Sequence, residues 1–357
     1  MIRLSDIRLI LLLCIVSPYT VIAQQNASAN RLVHDVLVDG RSPETARMSL
    51  DVFAYGKDGK PISDLEPTDF TLLDNGQPRK ILSFRRTIGA SGSQIDPPVQ
   101  MIFVIDSVEL GPNLFGMLRL DLESFLRREG GRLAFPTSVL IFSNQGLRVQ
   151  STPSVDGIAL ADRLEKEKDL IRLGGYSDYA EGAQDEIRKS LNALSGIVRN
   201  EGKMPGKKVL IWLGRGWPML RGLTTDEARK SYFNAVVALS NELRRARMTV
   251  YCLFPAGAVS SLNSYEFYLK PVVDWHKAEA ADLVPEVLAM HTGGRVIVTR
   301  DDMPARIADC FAEAGAYYTL GFDAPSAGRV NEYHDLKVQV ARPGVEVRTH
   351  LGYYSEP

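Results

Sequence analysis

The stretch MIFVIDSVELG, residues 101–111, places five apolar residues directly before an aspartate, Asp106. A continuous apolar run of this length is typical of a strand that is buried on both faces of a sheet. Ligand sites of open α/β sheets lie outside the carboxyl ends of such strands. We therefore expect Asp106 at the rim of a sheet, where it could hold a metal ion, take part in chemistry or only end the strand.

Strand and helix patterns alternate on both sides of this stretch, from residue 99 to residue 315. The candidate strands are 101–106, 137–142, 147–151, 208–213, 249–254 and 295–299. This alternation predicts an α/β fold, with a doubly wound, mostly parallel six-stranded sheet between two layers of helices. Residues 137–142 and 147–151 are close enough for a hairpin, which predicts one antiparallel edge strand. A capping-box pattern at Thr224 and Glu227 predicts the start of one of the helices.

The flanking zones, residues 31–90 and 316–357, read as β segments. Asn75-Gly76 between two short apolar runs is a strong hairpin signal, because both turn positions need positive φ. Neither segment is long enough to form a robust core alone. We therefore predict that the two segments form one β-sandwich, with the α/β domain inserted between them after a linker rich in Gly, Ser and Pro at 89–98.

The N-terminus has the pattern of a secretory signal peptide, residues 1–23, with cleavage after Ala23 and a disordered tail at 24–30. The apolar run is too short to span a bilayer in the mature chain, so we predict a secreted or periplasmic protein without a stable membrane span; an uncleaved anchor is the alternative. Two cysteines, Cys252 and Cys310, remain after cleavage. They could form a disulfide, but their strand and helix contexts favour buried free thiols.

Composition excludes several classes of function. The 357-residue chain has a net charge of −1, which gives no electrostatic basis for binding nucleic acid. Its five histidines lack the spacing of a zinc enzyme, and no Gly-x-Ser-x-Gly or Walker motif occurs. We therefore predict no cofactor and no enzymatic activity.

The α/β zone resembles a von Willebrand factor type A (VWFA) domain. The resemblance rests on the order of MIFVIDS, SVLIFSNQGLRVQ, LGGYSDYAEGAQDEI, KKVLIWLGRG, MTVYCLF and TGGRVIVTRDDMPARIADCFAEAG along residues 99–315. The flanks FTLLDNGQPRKILSF and VRTHLGYY are similar to those of secreted VWFA-related proteins of the acidobacterial type. The resemblance implies a recognition or adhesion module with a metal-ion-dependent adhesion site. Such a site has the pattern Asp-x-Ser-x-Ser, a Thr from a second loop and an Asp from a third, which together offer Mg²⁺ hard oxygen ligands.

The residues at the matching positions argue against a metal ion. These positions are Asp106, Val108, Leu110, Tyr176 and Arg215. Only the first keeps a carboxylate, two side chains have no oxygen, and the last is a permanent cation. The resemblance therefore implies a degenerate adhesion site.

Two hypotheses remain open for Asp106. Arg215 could pair with it and replace the ion, because the ends of the first and fourth strands are neighbours in this fold. Alternatively, Asp106 could accept a hydrogen bond from a nearby helix or loop amide. The same rim carries candidate contact residues, which either bind a partner or fold back on the protein: Trp217, Met219, Leu220 and Tyr179.

These observations predict an exported, non-enzymatic module for metal-independent protein–protein recognition or adhesion, whose protein ligand is unknown. The first alternative is a metal-dependent module with a rearranged site built on Asp106, Ser107, Glu109 and Ser177. The second is a secreted hydrolase with an unrecognised site.

Overall fold

A computed structural model describes residues 46–88, 98–108, 110, 112–143, 146–149, 152–167, 180–214, 225–255, 262–299, 302–325 and 328–355. The predicted signal peptide, the predicted tail, residues 31–45 and nearly all of the predicted linker lie outside these residues. Among the described helices, none is long and apolar enough to cross a membrane.

The chain forms fifteen strands and six α-helices within the described residues. The strands are β1 Ala46–Tyr55, β2 Phe70–Asp74, β3 Gln77–Arg79, β4 Ser83–Ile88, β5 Val99–Asp106, β6 Arg132–Ser143, β7 Gly146–Val149, β8 Ser154–Asp156, β9 Lys207–Leu213, β10 Met248–Pro255, β11 Val296–Thr299, β12 Ala316–Ala324, β13 Tyr333–Val340, β14 Glu346–Thr349 and β15 Gly352–Tyr354. The helices are α1 Pro112–Leu126, α2 Gly157–Glu167, α3 Ala180–Glu201, α4 Asp226–Arg245, α5 Pro285–His291 and α6 Met303–Ala314.

The central sheet has the strand order β11-β10-β9-β5-β6-β7. The first five of these strands are parallel to their neighbours, whereas β7 is antiparallel to β6. The predicted mostly parallel sheet and its antiparallel edge strand are therefore confirmed. The predicted number of six strands is wrong, because β8 also pairs with β6 and makes seven. β8 has only three residues, too few to show any periodicity.

Helices cover both faces of this sheet because successive residues of β5 point to opposite sides. Met101, Phe103 and Ile105 pack with α1, α2 and α6. Ile102 and Val104 pack with α3, α4 and α5 in a second core. We refer to these as the α1/α6 core and the α4/α5 core. Burial on both faces explains why β5 is apolar throughout rather than alternating.

The two flanking β segments pair with each other, as predicted. They form two four-stranded sheets, with orders β14-β1-β12-β4 and β15-β13-β2-β3. Each sheet contains strands from both segments, and the two share one core that includes Val52, Leu72, Leu320 and Val338. The predicted hairpin joins β2 to β3, where Asn75 and Gly76 have φ of 50° and 76°.

The structure corrects one helix boundary. α4 begins after Thr225, whose side chain accepts a hydrogen bond from the amide of Ala228. The N-cap is therefore one residue later than the predicted Thr224, since either threonine can fill the same role.

A first buried charge cluster joins the sandwich to the amino ends of the central strands. Asp51 of β1 accepts hydrogen bonds from Lys207 Nζ at 3.1 Å, Arg247 Nη2 at 2.8 Å and Thr319 Oγ1 at 2.9 Å. Burial raises the pKa of Asp51, but Lys207 and Arg247 outweigh it and hold that pKa well below its usual range. We call these four residues the Asp51 cluster.

A second cluster joins the sandwich to α6. Glu313 accepts hydrogen bonds from the hydroxyl of Tyr251 at 2.8 Å, from Arg295 at 2.7 Å and from Arg348 of β14 at 2.7 Å. Arg348 also donates to the Tyr55 hydroxyl at 2.6 Å. Burial raises the pKa of Glu313, but Arg348 and Tyr251 outweigh it, so the net shift is downward. We call these five residues the Glu313 cluster.

Candidate functional site

Asp106 lies at the carboxyl edge of the central sheet, as the sequence predicts. It is the last residue of β5 and is paired in register with Phe142 of β6. On the other side, Gly214 follows β9 and lies directly against it, since a Cβ on Gly214 would be 3.3 Å from the Asp106 Cβ. The ends of β5, β6 and β9 therefore meet around this carboxylate, which is 1% exposed.

The turn after β5 is tied back onto the protein. Asp106 Oδ1 accepts a hydrogen bond from the amide of Val108 at 3.1 Å. The backbone amide and the hydroxyl of Ser107 both donate to the carbonyl of Phe142, at 2.8 and 2.7 Å. The structure thus contains the loop-amide interaction that was one of the two hypotheses for Asp106. It does not exclude pairing with Arg215, because a carboxylate has a second oxygen and several acceptor positions.

Val108 and Leu110 occupy the two positions where an adhesion site would have serines. Val108 is buried in the α4/α5 core, and Leu110 is buried in the α1/α6 core. The alternating side-chain directions of this turn therefore anchor it in both layers of the domain. Neither side chain has an oxygen.

The residues described at this edge do not fit the metal ion that the resemblance implies. A Mg²⁺ site needs several oxygens that converge on one point, whereas here Asp106 is the only matching position with an oxygen among those the structure describes. Of the residues of the rearranged site, Ser107 is buried and its hydroxyl already donates to the carbonyl of Phe142, whereas Glu109 and Ser177 lie outside the described residues. Across the described part of the chain, no group of three or more His, Cys, Asp or Glu is arranged to hold a metal ion.

Several predicted site residues lie outside the described residues. They are Glu109, Tyr176, Ser177, Tyr179, Arg215, Trp217, Met219 and Leu220. The predicted Asp106–Arg215 pair and the predicted contact residues therefore remain predictions.

The structure reveals a further surface on the same edge that sequence patterns did not indicate. α4 follows β9, so its first turn lies at the carboxyl ends of the strands. There Lys230 Nζ lies 4.5 Å from the ring centroid of Trp275, which stacks on His276 at 3.5 Å. Close along the chain, Phe267 is 74% exposed and Val273 50% exposed. We call residues 262–279, which include these side chains, the aromatic rim.

Residues 274–282, DWHKAEAAD, have the mixed charge that is typical of a solvated surface, but the second half of the stretch is buried. Ala278, Ala280 and Ala281 are buried, as is Asp282. The small alanines let the chain pack closely, and Asp282 accepts a hydrogen bond from the amide of Glu279 at 2.7 Å. A capping box of this kind was the signal available in the sequence.

The two cysteines are free and buried. Cys252 lies in the α4/α5 core and Cys310 in the α1/α6 core, on opposite faces of the sheet. They do not form the disulfide that the sequence left open. Burial raises the pKa of both thiols, which disfavours the reactive thiolate.

No family model and no curated protein matches the chain. Among solved structures, the manganese-loaded TRAP protein of Plasmodium vivax is 8% identical over 78% of this chain and 97% of its own, with a TM-score of 0.37.

Proximal thread matrix protein 1 of the mussel byssus is 13% identical over 69% of this chain, with a TM-score of 0.35. The pilus adhesin SpaC of Lactobacillus rhamnosus GG, in its open conformation, is 10% identical over 83%, also with a TM-score of 0.35. The chain spans about half the length of these two proteins, 50% and 49%. At scores this low, the likenesses indicate no function for this chain.

The buried position of Val108 leads to a testable expectation. Val108→Thr introduces a hydroxyl of nearly the same shape into an apolar core, which should lower the free energy of unfolding by about 1–3 kcal/mol. Urea denaturation measures this loss. Addition of Mg²⁺ at about 10 mM, roughly ten times a weak Kd of about 1 mM, should not restore the lost stability. A Mg²⁺-dependent gain in the stability of the variant would show that the edge can still assemble a metal site.

Proposed function

We propose that the chain is an exported, non-enzymatic recognition module that binds a protein ligand at the carboxyl edge of its central sheet, without a metal ion. The observation that carries the proposal is how the side chains of the turn after β5 are bonded and buried. One oxygen of its carboxylate, its hydroxyl and its two aliphatic side chains are engaged by Val108, Phe142 and the two cores. The described residues of this edge lie where a binding site is expected, and they present no convergent oxygens to an ion.

The aromatic rim supports protein recognition at this edge. Contact sites on proteins are enriched in Trp and other aromatic residues, which bury a large area at a small entropic loss. Trp275 and Phe267 are of this kind and lie on a surface with both charge signs close by. The predicted contact residues Trp217 and Leu220, in the loop between β9 and α4, would add to the same edge. Export rests on the predicted signal peptide at residues 1–23.

The proposal is tested first by its metal independence. Titration calorimetry of the purified chain with Mg²⁺ and Mn²⁺ should show no saturable binding that depends on Asp106. The wild-type chain and the Asp106→Ala variant should therefore give the same result. Tight binding lost in that variant would instead support the metal-dependent alternative.

The binding edge is tested by capture of ligand from envelope and culture fractions, with bound proteins identified by mass spectrometry and then measured as purified pairs. We expect Trp275→Ala and the double variant Trp217→Ala/Leu220→Ala to weaken binding at least about tenfold, because truncated central hot spots lose about 2 kcal/mol or more. Met204→Ala is the matched control, since Met204 is 58% exposed but precedes β9 at the opposite edge. Equal weakening by the control would place the binding surface elsewhere.

A further inference from the structure

Glu286 is a buried carboxyl group that the proposed binding function does not use. It lies in the first turn of α5, with 0% of its surface exposed. Within the described part of the chain, neither of its oxygens has a hydrogen-bond partner. α5 packs on β10 and beneath the short 3₁₀ turns at Leu262–Tyr268 and Ala280–Leu283. A carboxyl group enclosed in this way is favourable only when it is neutral.

No described cation offsets the charge that Glu286 would carry. Among the described residues, the titratable groups that interact with it are the Cys252 thiol from β10 and the Tyr265 phenol from the first 3₁₀ turn. Burial raises the pKa of both groups; Glu286 raises that of Cys252 further, and Glu266 and Glu286 raise that of Tyr265. His291, at the other end of α5, has a pKa that burial lowers, which disfavours its protonated form. Burial raises the pKa of Glu286 to about 7, against a smaller opposing effect of its own backbone amide.

Asp282, one turn earlier, is a second carboxyl group of the same kind. It is buried, and the amide of Glu279 donates to its Oδ2 at 2.7 Å. Burial raises its pKa to about 7, the Glu279 amide opposes this, and the Glu279 carboxylate adds to it. Across from Asp282, Tyr354 donates its hydroxyl to the carbonyl of Val272, so this phenol is already engaged.

The two carboxyl groups hold a segment that reaches the surface. The aromatic rim leads directly into Asp282 and Glu286, and Tyr268 of the rim donates to Glu279 at 3.3 Å. The Leu269 amide is bonded to the Glu266 carbonyl within the first turn. Opening of this segment would bring water to both carboxyl groups without unfolding the central sheet.

We infer that Glu286 and Asp282 form a proton-operated latch, which closes the segment from residue 262 to residue 291 onto β10 when both groups are protonated and releases it when they ionise. The sign follows from linkage. The closed form binds protons more tightly than the open form, so closure is strongest below the ordinary pKa of a carboxyl group. It weakens as pH rises through about 7 and changes no further above that.

Hydrogen exchange of the intact chain tests the latch without any binding partner. Amides of α5 should lose protection by about tenfold or more between pH 6 and pH 8, after correction for the intrinsic exchange rate, because a carboxyl pKa moves from about 4.5 to about 7 on closure. Amides of β5, outside the segment, should show no such change and serve as the internal reference.

Two variants separate ionisation from packing. E286Q keeps the shape of the side chain but cannot ionise, so α5 should stay protected at pH 8. D282N keeps an acceptor for the Glu279 amide and should reduce the pH dependence even if E286Q does not fold. E266Q, which changes an exposed carboxylate on the same segment, should retain the full tenfold change. Equal α5 protection at both pH values in the wild-type chain, or an unchanged pH difference in both E286Q and D282N, would overturn the inference.

Discussion

Replacement of Arg348 by methionine should lower the free energy of unfolding by about 3–5 kcal/mol, the range for removal of one partner from a buried ion pair. Arg348 is the residue of the Glu313 cluster that reaches across from the sandwich. Besides Glu313 and the Tyr55 hydroxyl, its guanidinium donates to the carbonyls of Gly293 and Gly294, at 3.2 and 3.1 Å. Methionine preserves most of the aliphatic volume, so the loss reflects these polar contacts rather than a cavity.

The measurement is urea denaturation of the wild-type chain and the variant, followed by both circular dichroism and tryptophan fluorescence. Arg342→Met is the matched control on the same β segment. Arg342 pairs with Asp64 at 2.6 Å, but both side chains are exposed, so solvent screening leaves little to lose. If the two variants lost the same stability, the Glu313 cluster would not be the junction that holds the sandwich to α6.

The hydrophobic pattern of the sequence predicted the layers of the fold, because burial alone determines this pattern. The wholly apolar β5 indicated a strand covered on both faces, and Asn75-Gly76 indicated a hairpin through its backbone requirement. The same reasoning did not predict short elements. β8 has three residues, and its pairing depends on where the twelve-residue β6 happens to extend.

The candidate site was predictable in its position but not in its contacts. Resemblance placed Asp106 at the edge, and the residue types at 108 and 110 already argued against a metal ion. That Val108 and Leu110 enter opposite cores depends on the turn geometry, which the sequence does not encode locally. The aromatic rim was missed because Phe267 and Trp275 lie outside any periodic pattern, between a strand and a helix.

The buried charge clusters could not be predicted at all, because each joins residues that are far apart in the chain. Asp51 and Lys207 are 156 positions apart, and Tyr251 and Glu313 are 62 apart. In sequence, each of these residues reads as an ordinary polar side chain of a strand or helix end. Only the docking of the sandwich onto the central sheet removes water from them and makes their pairing matter.

Neutralisation of Asp51 should destabilise the chain by about 3–5 kcal/mol, because it leaves a buried cation without its counter-ion. Lys207 is wholly buried, with Nζ lying 4.4 Å from the ring centroids of both Phe53 and Tyr317. Burial lowers the pKa of this lysine and Asp51 opposes the shift. Asp51→Asn keeps the shape of the side chain but removes its charge. The ammonium group of Lys207 would then be stabilised mainly by the faces of the two aromatic rings.

Urea denaturation of a double-mutant cycle with Lys207→Met separates the pair from its surroundings. Lys207→Met alone should cost less, because Asp51 keeps Arg247 and Thr319, and the double variant should recover part of the loss of Asp51→Asn. Asp323→Asn is the control, since Asp323 pairs with Arg47 across β1 and β12 at 3.7 Å on the exposed side of the sheet.

The pH dependence adds a second readout. The pKa of Asp51 is held below its usual value of 3.8, so its contribution is fully present above about pH 4 and is lost as pH falls below that. Wild type should therefore lose stability in acid more steeply than Asp51→Asn. Equal acid sensitivity of the two chains, together with strictly additive single-variant effects, would mean that Asp51 and Lys207 do not act as a pair.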